Sequence, residues 1–171
     1  KYKTVDKKIF FTIVAVFFII ISYFLLPAFY DENKIKAKLE KQILDQYNFK
    51  VKFDGSLRYG LFPKPHFYAK NTIINYKSEE VAKSNYTKIL VSVEDFFSLD
   101  EIEIKNLIFK KADFKINKKN FNFFLDLLNP NKSSYYINFL NSKFFYVDQN
   151  EDIIFLINIK NLDYLYQDPL I

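Results

Sequence analysis

Cysteine, methionine and tryptophan are missing from this sequence of 171 residues, and histidine occurs once. Without cysteine there is no thiol nucleophile, no disulfide staple and no thiolate zinc site, and the redox compartment stays undetermined. The single histidine, His66, stands between Pro65 and Phe67 with no second ligand of its kind, so neither a histidine metal site nor an imidazole base is expected. Acidic pairs do occur, as Glu94-Asp95, Asp100-Glu101 and Glu151-Asp152. Each is adjacent in sequence and falls in an expected loop, which suits solvated turns better than acid/base catalysis. No enzyme is expected, and no cofactor.

A strong charge of one sign is also lacking. The formal charge is +5, and much of it comes from the amino-terminal lysines Lys1, Lys3, Lys7 and Lys8, set against Asp6. The other lysines are spread singly, the pattern of a solvated face, and no nucleic-acid partner is expected. The abundance of Lys, Asn, Ile and Phe has the look of an AT-rich coding sequence. Methionine is absent even at position 1, and Leu170-Ile171 breaks off inside an apolar pattern, so a piece of a longer polypeptide is expected.

What the sequence does have is one long apolar run. Ile9–Ala28, IFFTIVAVFFIIISYFLLPA, carries no charge. As a helix it would reach about 30 Å, the thickness of the bilayer hydrocarbon. Ile9, Phe10, Phe17, Phe18, Ile19, Ile20, Ile21, Phe24, Leu25 and Leu26 form the expected anchor. The run is too long for the apolar region of a cleaved signal peptide and ends without small residues. The lysines before it, and Asp31 and Glu32 after it, place residues 1–8 in the cytoplasm and 29–171 outside.

Beyond the anchor, Asp31 is a candidate N-cap for a helix whose stripe is Ile35, Leu39, Ile43 and Leu44, ending near Tyr47-Asn48. That helix suits the end of a sheet better than a membrane surface. From Phe49 the period falls to two. Phe49, Val51 and Phe53 alternate with Lys50, Lys52 and Asp54, and Gly55 interrupts. Leu61-Phe62-Pro63-Lys64-Pro65 must be a corner, since two prolines withdraw two backbone donors. Phe67 and Ala69 share one parity while Ile74 and Tyr76 have the other, which predicts a bulge near Asn71. Further strands are expected around Ile89–Val93, Ile102–Phe109, Phe114–Ile116, Tyr136–Leu140, Phe144–Val147 and Ile153–Ile159, with hairpin turns at Asn141-Ser142 and Gln149–Asp152. A short helix over Asn120–Leu128 should stop at Asn129-Pro130. The count comes to roughly eight strands in a largely antiparallel α+β domain.

An apolar anchor, a short helix, the strand Val51-Lys52-Phe53-Asp54-Gly55, the corner Leu61–Pro65, then Phe67 and Asn71: this order resembles the amino-terminal region of the AsmA family. FSLDEIEIKNLIF over residues 97–109, followed by Phe114 and Ile116, is similar to the family's paired-strand segment, and Phe121–Leu128 falls where the family tends to place a helix. Scarce glycine, and Asn71-Thr72 in place of an acidic residue and Val, are departures. The resemblance implies a curved, elongated antiparallel sheet open along one side like a folded taco. It further implies an inner-membrane-anchored, periplasmic protein of the Gram-negative envelope, linked to outer-membrane biogenesis and phospholipid transport, with other envelope proteins as possible partners. On that reading Phe49, Val51, Phe53, Phe67, Ile89, Val91, Val93, Ile102, Ile104, Phe114 and Ile116 line an apolar groove for acyl chains. Alternation alone favours a sealed β-sandwich core over a groove, and only the resemblance sets the two level; a docking component of a secretion or pilus machine is the alternative function.

Overall fold

The computed structural model describes residues 7–94, 97–127 and 136–164. The expected helix stop at Asn129-Pro130, residues 1–6 of the tail, Asp95, Phe96 and the end at Leu170-Ile171 lie outside them. Helix α1 runs Lys7–Leu25 with no buried residue, and Pro27 sits in the 3₁₀ turn Leu26–Phe29 that closes it. The apolar stretch extends over Lys7–Phe29, 23 residues, one residue beyond Ala28 and two before Ile9. Thr12 returns its hydroxyl to the Lys8 carbonyl at 2.9 Å, so the polar group is satisfied within the helix.

Helix α2, Glu32–Tyr47, begins as its sequence requires: the Asp31 carboxylate accepts from the Lys34 amide at 2.9 Å. It ends at Asn48 in the left-handed conformation, φ 60°. Ile35, Leu39, Ile43 and Tyr47 are buried, while Leu44 turns outward. The strands follow as β1 Lys50–Phe53, β2 Leu57–Gly60, β3 His66–Tyr76, β4 Glu79–Val93, β5 Ile102–Ile116, β6 Tyr136–Val147 and β7 Ile153–Tyr164. Helix α3, Phe121–Leu127, lies between β5 and β6.

These seven strands form one sheet in the order β1-β3-β4-β5-β6-β7 with β2 beside β1 on β3. Every pairing is antiparallel except that of β5 with β6, which is parallel because the chain crosses over through α3. Strands β1 and β2 share β3 as partner, β1 along Thr72–Asn75 and β2 along His66–Ala69. Between them Gly55 donates its amide to the Lys70 carbonyl at 3.2 Å. A Cβ there would stand 2.5 Å from that oxygen, which is why the motif requires glycine.

The inner face of the sheet changes parity along one transverse row. In β3 the buried set passes from Phe67 and Ala69 to Thr72 and Ile74, in β5 from Leu107 and Phe109 to Ala112 and Phe114, and in β6 from Ile137 and Phe139 to Ser142 and Phe144. The residues at the step, Asn71, Lys111 and Asn141, have φ of 52°, 54° and 48°. Lys70 pairs with Tyr86 and Thr72 with Ser84, so β4 steps in concert and the register is kept. This corrects two expectations. The switch at Asn71 is a matched step and not a bulge, the register shift of β3 lying at Ile74/Asn75. Asn141-Ser142 is no hairpin turn but the middle of a continuous β6, just as the segments around Leu107 and Phe114 belong to one 15-residue β5.

Candidate functional site

Nine of the eleven expected groove residues are buried: Phe49, Val51, Phe53, Phe67, Ile89, Val91, Ile102, Ile104 and Phe114. Val93 and Ile116 are half-buried against the same cluster. Two helices cover them. Helix α2 crosses from β1 to β5, where its Glu40 carboxylate accepts from the Phe53 amide at 3.0 Å and its Gln42 side chain donates to the Ile102 carbonyl at 2.6 Å. Helix α3 inserts Phe123 against Phe49 at 5.7 Å between ring centroids, and Phe124 against Phe114 at 6.2 Å. The described residues therefore bring the eleven together, as the alternation requires, but as a packed core under a helical layer. An open trough lined by them is not what this face forms, because the stripes of α2 and α3 need the same apolar partners.

The apolar inner face nevertheless continues past its cover. Strand β7 pairs Ile157 with Phe144, Ile159 with Ser142 and Leu162 with Phe139, so these side chains carry on the face that β6 buries. Ile159 is still packed against the core, but Phe155, Ile157 and Leu162 are 48%, 50% and 39% exposed. Ile154 and Leu156, of the other parity, are exposed too. Since β7 ends the strand order, its far backbone edge has no strand partner among the described residues. Periodicity predicts a strand here but does not assign it to the groove. The signal was available: IIFLINI over residues 153–159 is apolar on both parities, unlike the alternating strands before it.

The anchor meets the opposite end of the domain. Tyr59 of β2 donates its hydroxyl to the Phe24 carbonyl at 3.2 Å, and partial burial raises its pKa to about 12. The ring of Phe97 lies 5.2 Å from that of Tyr23. A cavity of about 390 Å³ opens at this joint, walled by Pro27, Tyr30, Glu32, Arg58 and Tyr59 with Phe67 behind. The Glu32 carboxyl is held below its ordinary pKa, first by the hydrogen bond to Lys36 and then by the Leu57 amide.

The acidic pairs take structural roles where they are described. Asp100 faces Lys38 at 3.4 Å, Glu151 pairs with Lys115 at 2.8 Å, and Asp148 accepts from the Asn150 and Asp152 amides. His66 meets the Lys64 carbonyl through Nδ1 at 2.8 Å. Among the described residues no group of three His, Cys, Asp or Glu is placed to hold a metal ion.

No curated protein and no solved structure matches the chain. The model of the AsmA family matches residues 4–145, which takes in the apolar helix, α2 and the sheet into β6, two residues short of that strand's end. With the greater part of its length so matched, the chain belongs to the AsmA family.

Proposed function

We propose that this is a single-pass protein of the bacterial inner membrane, with its bulk in the periplasm, that handles phospholipid for outer-membrane biogenesis without catalysing a reaction. The observation that carries the reading is the apolar inner face running out from beneath α2 and α3 onto β7, where Phe155, Ile157 and Leu162 stand uncovered. An acyl chain laid there would leave water at a gain of about 0.8 kcal/mol per methylene buried. The eleven core residues then serve the site indirectly, by holding rigid the sheet that presents β7.

Photo-crosslinking residues at Phe155 and Ile157 of the full chain test this in cells. Phospholipid adducts are expected at both and not at Lys143, an exposed residue of β6. Adducts inside α1 but none on β7 would remove the lipid reading. The open backbone edge of β7 would then favour a docking component that pairs with a strand of another envelope protein.

A further inference from the structure

The joint between anchor and domain sits deeper than a flexible tether would place it. Tyr23 and Phe24 precede the end of the apolar stretch at Phe29 by six and five residues, which along the helix is roughly 10 Å. About twenty residues cross the hydrocarbon, and counted from Lys8 that length is reached near Ala28. Yet Phe97 packs on Tyr23, and Tyr59 bonds to Phe24. If α1 spans the bilayer, the lower rim of the domain lies level with the outer part of the leaflet.

The side chains on that rim suit such a depth. Phe29, Phe62 and Phe97 are 83%, 83% and 73% exposed, and they come from three separate segments: the 3₁₀ turn, the proline corner and the loop before β5. The Pro65 carbonyl accepts from the Val91 amide at 3.1 Å and His66 pairs with Leu90, so the corner sits beside the end of β4, where the chain leaves toward Phe97 and the anchor. Cations stand beside the aromatics. Lys64 is exposed in the same corner, and Arg58, the single arginine in a chain of lysines, walls the cavity at the joint. Arg58 has no ion pair within 4 Å among the described residues; the Glu32 carboxylate at the same cavity bonds Lys36 and feels the Arg58 charge only as a weaker, longer-range attraction. A guanidinium can hold a phosphate by two parallel bonds, which an ammonium cannot.

We infer that the anchor-side rim is a membrane-seating surface, with Phe29, Phe62 and Phe97 dipped into the leaflet and Arg58 binding a lipid phosphate at the cavity. This rests on the reading of α1 as a span, not on lipid transport by β7. On this inference the Leu-Phe-Pro-Lys-Pro corner presents one apolar ring and one ammonium to the bilayer surface.

The absence of cysteine allows single labels to be placed at will. Single variants Phe62→Cys, Phe97→Cys, Ile13→Cys and Gln149→Cys of the full chain carry a nitroxide in vesicles of phosphatidylethanolamine and phosphatidylglycerol. Labels at 62 and 97 are expected to collide with dissolved oxygen in preference to a water-soluble nickel chelate, as the label at 13 in the anchor does. The label at 149, in the turn between β6 and β7, should show the reverse. Nickel access at 62 and 97 with protection at 13 overturns the seating while leaving the span intact, and nickel access at 13 overturns both. Arg58→Gln should loosen the seating at 62, and Arg58→Lys should restore only part of it. An effect abolished by inorganic phosphate in the buffer would reassign Arg58 to a free anion, and no effect of Arg58→Gln would remove it from the site.

Discussion

Glu32 shows how one side chain ties the anchor's exit to the sheet. Its carboxylate accepts from the Leu57 amide at 2.9 Å and pairs with Lys36 at 2.8 Å, joining the first turn of α2 to the start of β2. Both bonds favour the ionised form, so the carboxyl titrates below its ordinary 4.5 in the folded chain. The sign follows: this contribution is present above the unfolded value and is lost as pH falls through the folded one. Glu32 is half exposed, so solvent screens the effect and its size is small. Urea midpoints in mild detergent should fall on acidification for the parent chain, and fall less for Glu32→Gln. Equal acid sensitivity in both would place the titration elsewhere.

Among the elements, the long strands were only partly legible. The parity change at Asn71 could be read because Phe67 and Tyr76 lie on one buried face yet disagree by one residue, and asparagine is among the few residues that tolerate φ above zero. The same chemistry misled at Asn141, since a left-handed asparagine inside a strand and one in a turn look alike in sequence. Lys111 gave no sign at all, because nothing about lysine favours φ 54°. Its position is dictated by neighbouring strands that step at the same row, a tertiary demand that overrides local preference. Strand β6 therefore depends on Asn141. Asn141→Val, which puts a β-branched residue at φ 48°, should destabilise the domain by about 1–2 kcal/mol in detergent, and Asn141→Gly should be close to neutral. A neutral valine variant would show that the step does not require a left-handed residue.

For the molecule as a whole, the apolar helix, α2 and the set of inward-facing residues followed from periodicity, because each sits in a regular element with one dry face. What covers that face did not. Whether α2 and α3 lie over Phe49 and Phe114 or beside them depends on connections of many residues, and the parallel joining of β6 to β5 depends on a crossover that alternation cannot report. Orientation is a property at this scale as well. The lysines at 7 and 8 lie before the span and Asp31 and Glu32 beyond it, so an alkaline phosphatase fused after residue 171 should be active, which requires export. Activity of a cytoplasmic reporter at the same junction would invert the topology.

The transverse step has a further consequence at the free margin of the sheet. Leu140 pairs with Asn161 and Ser142 with Ile159, so the line that crosses the strands arrives at Lys160 in β7. Any newcomer zipped onto that margin in register would inherit the dislocation, and its own rhythm of greasy and wet positions would have to slip by one place opposite Lys160. A segment with unbroken alternation would fit one half of β7 and turn its wrong side inward along the other.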